Sequence, residues 1–165
     1  MTPIRIAPGS PHDPGVPELF AAADAYALSL YPPEHYHVLD AAEFARAEVQ
    51  LLVARDAAGA ALGMVALVPE RLAAPRWAEL KRMFVHEDAR GTGLGRALLA
   101  AVESAAAERG IPLLRLETGE PQAAAIRLYE RWGFVRIPPF GEYVHDPTSI
   151  CMEKPVTPSG APTRA

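Results

Sequence analysis

The sequence predicts one domain of the α/β class, in its α+β form, with a strand meander followed by helices that alternate with strands. Three observations lead to this fold class. The chain has 165 residues, the size of one ordinary domain. Half of its residues are hydrophobic and 22% are charged, as expected for a globular protein with a core. The apolar residues recur at a spacing of two in some segments and at helical spacing in others.

The N-terminal half is predicted to form a strand, two helices and a pair of strands. Ile4 and Ile6 alternate with polar neighbours, which indicates the first strand. Pro32 and Pro33 end the first helix because proline lacks an amide hydrogen. The predicted elements are a strand around residues 4–6, helices over residues 18–30 and 40–48, and strands over residues 50–55 and 61–68.

The C-terminal half is predicted to alternate between strands and helices. Gly110 follows the longest helical pattern and is expected to end that helix. The predicted elements are strands over residues 77–85, 113–117 and 150–153, and helices over residues 93–109 and 121–132. We expect a single domain over residues 1–154 and a disordered tail over residues 155–165.

Composition excludes several classes of protein. Cys151 is the single cysteine, so no internal disulfide can form, which favours a reducing compartment. The first residues do not resemble a signal peptide, and no run of about 18 apolar residues exists. The net charge of −4 argues against nonspecific binding of nucleic acid. We therefore expect a cytoplasmic protein that has neither a membrane nor a nucleic acid as its partner.

A glycine-rich loop precedes the longest predicted helix. The first turn of a helix has unpaired N–H groups and a partial positive charge, and therefore attracts anions. Glycines allow a phosphate to approach those amides, and two arginines add charged donors. The spacing matches neither a Walker loop nor a dinucleotide fingerprint. The loop consists of Arg90, Gly91, Thr92, Gly93, Leu94, Gly95 and Arg96.

The pattern Arg90-x-x-Gly93-x-Gly95 resembles the pyrophosphate loop of the GNAT superfamily of acetyl-CoA-dependent N-acyltransferases. The resemblance extends from Glu79 to Lys154 and includes a second block, residues 122–134, that ends in Gly-Phe. It implies a mostly antiparallel central sheet with helices on both faces. It also implies that acetyl-CoA is the co-substrate and that an amine attacks it directly in a ternary complex.

The resemblance also assigns residues to the coenzyme. Besides the loop, it implies that the backbone of Met83, Phe84 and Val85 binds the pantetheine arm. Gln122 stands where the superfamily usually has Asn, and its side chain is expected to contact the same arm. Tyr129 matches the tyrosine that protonates the departing thiolate, although a packing role beside the coenzyme is the alternative.

The general base is left open between two carboxylates. Glu79 lies on the strand where some relatives carry a catalytic glutamate, and Glu117 with an ordered water is its competitor. Period-two alternation places Glu79 on one face with Lys81, Met83 and Val85. Lys81 would then weaken Glu79 as a base.

The acceptor site is predicted from charged and aromatic residues near that strand. Lys81 and Arg82 need carboxylate partners, because an unpaired buried cation is costly. Glu79 and Glu117 could provide these partners, and an acidic acceptor is the alternative. The segment Gly141-Glu142-Tyr143 is expected to line the acceptor pocket, and loop packing is the alternative. A loop or short helix over the acceptor cleft is expected from Tyr31, His35, Tyr36 and His37, and a surface loop is the alternative.

The acceptor itself is not determined by the sequence. A small-molecule amine or amino acid is the first hypothesis, an amino group of a protein is the second, and a CoA-binding regulatory module without catalysis is the third. A homodimer is one of the oligomeric states left open. The five histidines lack the spacing of metal ligands, so no metal is expected.

Overall fold

The computed structural model describes residues 3–35, 44–74 and 76–157, and this part of the chain contains a seven-stranded sheet. The strands are β1 (Arg5–Gly9), β2 (Gln50–Arg55), β3 (Ala61–Pro69), β4 (Ala78–Val85), β5 (Leu113–Gly119), β6 (Val135–Ile137) and β7 (Ser149–Pro155). The helices are α1 (Val16–Leu30), α2 (Leu94–Glu108) and α3 (Ala123–Trp132). Short 3-10 turns lie at Pro33–His35, Glu87–Ala89 and Gly141–His145.

The sheet is mixed and mostly antiparallel, with the strand order β1-β2-β3-β4-β5-β7-β6. Only the pairing of β4 with β5 is parallel among these neighbours. Helix α1 packs on one face of the sheet, and α2 and α3 pack on the other. The predicted fold class is therefore confirmed.

The core forms two layers, one on each face of the sheet. On β2, Leu52 and Ala54 face α2, whereas Leu51 and Val53 face α1. A strand that is covered on both faces reads as a continuous apolar run, which explains the uninterrupted hydrophobic sequence of β2 and β3. Helix α2 buries Leu98 and Val102 against its face of the sheet.

The first two helices differ from the prediction. Helix α1 begins two residues early, because Pro17 is compatible with the first turn, where its missing N–H would have no partner. Residues 40–43 of the predicted second helix lie outside the described residues. Residues 45–48 form a turn, in which Val49 N–H bonds to Arg46 O and the guanidinium of Arg46 donates to Pro69 O. This bond ties the turn to the end of β3.

The end of the chain also differs. Pro155 belongs to β7, and Val156 is buried and donates its N–H to Pro112 O at 2.9 Å. The prediction of a tail from Pro155 is therefore wrong for these two residues, because Pro155 pairs with Leu113 of β5 and Val156 packs in the core. Residues 158–165 lie outside the described part. Strand β6 was not predicted, because its three residues, Val135–Ile137, are too few for a strand pattern to be read from the sequence.

No helix within the described ranges has the length and apolar character that a membrane crossing requires.

Candidate active site

A bulge in β4 creates the site. Met64 of β3 pairs with Phe84, and Ala66 pairs with Lys81, so two steps along β3 correspond to three along β4. The extra residue lies at Arg82, whose φ of 56° is in the left-handed region. A bulge of this kind bends the strand and increases its twist.

The bulge contradicts the predicted alternation of β4. Glu79 and Lys81 share a face, since both bond to the 3-10 turn Gly141–His145. Met83 and Val85 lie on the opposite face, where they pack in the core beneath α2 and α3. The prediction that all four residues share a face is wrong, because one inserted residue reverses the alternation beyond it.

A wedge-shaped gap opens between β4 and β5 beyond the bulge. Parallel pairing begins at Ala78 with Leu114 and ends at Leu80 with Leu116. Strand β4 then continues beside β3, and β5 continues beside β7 as far as Gly119. The backbone edges of residues 81–85 and 117–119 therefore border the gap instead of pairing with each other.

A cleft of about 150 Å³ occupies the gap. Strands β4 and β5, helices α1 and α3 and the turn at residues 141–145 all contribute to its lining. Most of the predicted catalytic and acceptor-site residues line it, together with part of the predicted coenzyme set: Glu79, Lys81, Arg82, Met83, Phe84, Glu117, Gln122, Tyr129 and Tyr143. Tyr31 and His35 also line the cleft, whereas Tyr36 and His37 lie outside the described residues.

Tyr129 of α3 reaches the cleft from the side of the α2–α3 core. Its side chain is buried and its ring packs edge-on against Phe134 at 5.9 Å between centroids. Burial raises the pKa of the Tyr129 phenol well above its usual value, and the charge of Glu117 adds to the rise. The phenol therefore keeps its proton at neutral pH.

Glu79 faces the cleft from β4 and is held by a tyrosine. The Tyr143 hydroxyl donates to Glu79 Oε1 at 2.5 Å. Burial raises the pKa of the Tyr143 phenol strongly, and the neighbouring carboxylate of Glu79 raises it further. Tyr143 is thus a hydrogen-bond donor that does not ionise in the physiological range.

The other charged residues of the cleft have partners on neighbouring elements. Glu117 Oε1 accepts from the Ser149 hydroxyl at 2.9 Å. The Lys81 ammonium lies 3.3 Å from Glu142 Oε1. The Arg82 guanidinium lies 2.6 Å from Asp24 Oδ1. The sequence did not single out Asp24 or Glu142 as partners of these cations.

The glycine-rich loop lies beside the cleft at the start of α2. Gly91 and Gly93 have φ values of 75° and 88°, and no heavy atom lies within 4 Å of where a Cβ would be. Gly93 is the N-cap of α2 and has no side-chain capping bond, so the first-turn amides are left for a ligand. Gly95 differs, since a Cβ there would lie 3.0 Å from Leu128 of α3. Its small size therefore lets α2 and α3 approach each other.

Several side chains of the loop are engaged within the protein. The Arg90 Nε donates to Val85 O, and its guanidinium lies over the rings of Tyr26 and Phe84. The Thr92 hydroxyl donates to Ala89 O at 2.6 Å. Leu94 is buried in the core, whereas Arg96 is exposed to solvent.

Gln122 and Tyr31 form a second hydrogen-bonded pair at the cleft. The Gln122 amide donates to the Tyr31 hydroxyl at 3.0 Å. A Cβ on Gly119 would lie 2.5 Å from the same hydroxyl oxygen, so a glycine is needed where Tyr31 crosses β5. Gln122, which is predicted to contact the coenzyme, thus contacts Tyr31 at the C-terminal end of α1.

Two residues with polar side chains in the cleft lining, Tyr26 and Thr118, were missed by sequence reasoning. Tyr26 follows the same helical spacing as the core residues of α1. The sequence pattern therefore does not distinguish a cleft residue from a core residue at this position. Thr118 is buried and continues the apolar face of Leu114 and Leu116 on β5. Its hydroxyl oxygen has no hydrogen-bond partner in the described part of the chain. Thr118 is a polar residue at the end of an apolar alternation, and this departure in the sequence could have indicated a site residue.

Within residues 3–35, 44–74 and 76–157, no group of three or more His, Cys, Asp or Glu side chains is arranged to hold a metal ion. Cys151 is buried in β7, and burial raises the pKa of its thiol.

Comparison with known proteins identifies the family. Residues 16–134 match the Acetyltransferase (GNAT) family. The chain is 40% identical over 156 residues to the IAA acetyltransferase of Azospirillum brasilense, covering 94% of this chain and 100% of that protein. A crystal structure from Klebsiella pneumoniae, assigned to the acyl-CoA N-acyltransferases, is 36% identical with a TM-score of 0.76 and covers 93% of this chain and 98% of its own.

A more distant structure has the same fold. The GNAT family acetyltransferase of Elizabethkingia anophelis, solved with acetyl-CoA bound, is 20% identical with a TM-score of 0.65. That comparison covers 92% of this chain and 97% of the other. The family match and the two closer relatives confirm the resemblance seen in the sequence. The chain belongs to the GNAT family of acetyltransferases and is an acetyl-CoA-dependent N-acyltransferase.

Proposed function

We propose that the chain transfers the acetyl group of acetyl-CoA to the amine of a small molecule within the cleft between β4 and β5. One observation carries this proposal. The gap in the sheet has the phenol of Tyr129 on one side and the carboxylates of Glu79 and Glu117 in the same cleft. A proton donor and two proton acceptors therefore border one small space.

The residues around the gap fit the coenzyme. The open space at Gly91 and Gly93, next to the uncapped first turn of α2, suits a pyrophosphate. The edge of β4 beyond the bulge suits the amides of pantetheine, which would add to the sheet as an extended segment. The unpartnered hydroxyl of Thr118 offers a further hydrogen bond in the cleft. Gln122 would serve the same arm once it leaves Tyr31.

Bound acetyl-CoA supplies an acetyl group that is activated as a thioester. The acceptor amine must lose a proton, because an alkylammonium ion has a pKa near 10. We assign this proton to Glu79, which Tyr143 holds in the cleft. Glu117 is the competing acceptor of the proton, and Ser149 holds it in a similar way.

Tyr129 is the proposed proton donor for the sulfur. The new bond joins the acceptor nitrogen to the acetyl carbon, and the bond from that carbon to sulfur breaks. The proton of the nitrogen passes to the carboxylate, and the proton of the Tyr129 phenol passes to the sulfur. The raised pKa of the phenol keeps this proton in place until charge develops on the sulfur.

The shape of the cleft supports a small acceptor over a polypeptide. Ligand sites for drug-sized molecules usually measure about 300–1,000 Å³, and this cleft is smaller. Tyr26 and Tyr31 of the α1 side and Tyr143 of the 3-10 turn border it. A long peptide would need an open groove across the sheet, whereas a single amine fits between these side chains.

Two measurements on the purified protein test this function. Acetyl-CoA at a hundred times its dissociation constant should stabilise the fold by about 2.7 kcal/mol, which raises the melting temperature by roughly 5–10 °C. Free thiol should then be released when amines and amino acids are added with acetyl-CoA. Thiol release with peptides alone would overturn the small-molecule assignment, and stabilisation by neither acetyl-CoA nor CoA would overturn the coenzyme site.

A further inference from the structure

The cleft contains charges of both signs. Glu79 and Glu117 are the two carboxylates, and Lys81 and Arg82 are the two cations. Lys81, Arg82 and Glu117 lie where β4 and β5 separate, and Glu79 lies within the last paired residues before that point. An acceptor that carries only an amine would complement the carboxylates and leave the cations without a role in binding.

Arg82 already has a structural role. Its guanidinium bonds to Asp24 of α1 at 2.6 Å and lies 4.5 Å from the ring centroid of Phe20 on the same helix. These contacts fix α1 against the bulge, next to the core layer beneath that helix. Replacing Arg82 would therefore disturb the position of α1 itself.

Lys81 is placed differently. Its side chain is only 9% exposed, although the side chain of Glu142, its partner at 3.3 Å, is 56% exposed. The Lys81 side chain thus lies in the lining of the cleft and away from bulk solvent. A carboxylate that enters the cleft would approach this ammonium in a site shielded from water, where a charge-assisted hydrogen bond is strong.

We propose that the acceptor carries a carboxylate beside its amine, as amino acids do, and that Lys81 is the residue that selects it. The inference rests on the proposed function and specifies its substrate class. The carboxylate of the acceptor binds the Lys81 ammonium, and its amine faces Glu79 and Glu117. The cleft thus complements a zwitterion, because it offers a cation to the carboxylate and carboxylates to the amine.

Matched acceptors test the inference. Thiol release from acetyl-CoA is measured with each amino acid of a panel, with its primary amide and with its decarboxylated amine. We expect kcat/KM to be at least tenfold higher for the amino acid than for either analogue. Replacing Lys81 by Met should reduce this ratio about 10–150-fold, the value of a hydrogen bond to a charged group, and the change should appear mainly in KM.

Two further variants serve as controls. Lys154→Met removes the other lysine of the chain, which pairs with Glu103 away from the cleft, and should keep the preference for the amino acid. Lys81→Arg keeps the charge and should restore most of the preference, which separates recognition from a folding defect. Acetyl-CoA should still raise the melting temperature of each variant.

The outcomes separate this inference from the proposed function. If the wild-type protein uses the amides and decarboxylated amines as well as the amino acids, the inference is wrong and the proposed function stands. The same holds if Lys81→Met lowers kcat/KM equally for all acceptors. If no amine of any kind releases thiol, the proposed function fails, and the inference fails with it.

Discussion

The hydroxyl of Tyr143 donates a 2.5 Å hydrogen bond to Oε1 of Glu79. Tyr143 lies on the 3-10 turn Gly141–His145. Glu79 lies on β4 one residue before Leu80, the last residue of β4 that pairs with β5. The bond therefore connects the turn that borders the cleft to a strand at the base of the gap. It also fixes the carboxylate that we assign to proton removal.

Glu79→Gln should lower turnover by about 10²–10⁴-fold, the usual contribution of general base catalysis. The amide retains the shape and can still accept from Tyr143, so the dissociation constant for acetyl-CoA should change less than threefold. Turnover and coenzyme affinity are measured on the same preparation. Glu117→Gln is the matched control from the same cleft, and a larger loss in that variant would transfer the proton-accepting role to Glu117.

Tyr129→Phe should lower turnover by a similar factor and leave acetyl-CoA binding nearly unchanged. The substitution removes the phenolic proton and retains the ring that packs against Phe134. Steady-state kinetics and a binding titration give the two numbers. Tyr26→Phe removes a hydroxyl from the α1 side of the same cleft and should cost little. Full turnover in Tyr129→Phe would mean that Tyr129 is a packing residue.

Gly93→Asp should weaken acetyl-CoA binding by more than tenfold. It introduces a carboxylate and a Cβ into open space at the N-terminus of α2, where the pyrophosphate is expected. The φ of 88° also makes any side chain there cost about 1–2 kcal/mol of folding free energy. Calorimetric titration with acetyl-CoA measures the loss of binding.

Gly110→Asp is the matched control for that experiment. Gly110 follows the other end of α2, also has a positive φ of 65°, and has no heavy atom within 4 Å of its Cβ position. Its variant should lose similar stability and retain the affinity for acetyl-CoA. Equal weakening of binding in both variants would show that strain alone, and no pyrophosphate contact, explains the Gly93 result.

Stability should decrease steeply above pH 10 because of two buried phenols. Burial raises the pKa values of Tyr129 and Tyr143 above the ordinary value of 10.0, so the unfolded chain releases these protons first. Their contribution is complete below pH 10 and is lost as the pH rises above it, by about 1.4 kcal/mol per pH unit for each phenol. Urea unfolding at pH 9, 10 and 11 measures this slope.

The two phenylalanine variants provide the comparison. Tyr129→Phe and Tyr143→Phe should each reduce the alkaline slope by about one phenol's share, and the double variant by both. An unchanged slope in the double variant would show that other groups cause the loss of stability at high pH.

Local patterns in the sequence determined most of the elements. The apolar runs of β2 and β3, the helical stripe of α2 and the glycine-rich loop were all recognised, because burial and helix capping leave periodic or glycine-specific signals over a few residues. Tyr129 was identified because it lies within a block that resembles the family. These features depend on neighbours that are close in the chain.

The tertiary structure alone decided how the site is assembled. The bulge at Arg82 reversed the faces of Met83 and Val85, because a bulge depends on the register between two strands and leaves no trace in the alternation of one. The bond from Tyr143 to Glu79 joins residues 64 positions apart, and Gly95 owes its small size to Leu128 on another helix. The sequence by itself thus determined which segments form strands, helices and the anion-binding loop, whereas packing between distant segments determined which side chains meet in the cleft.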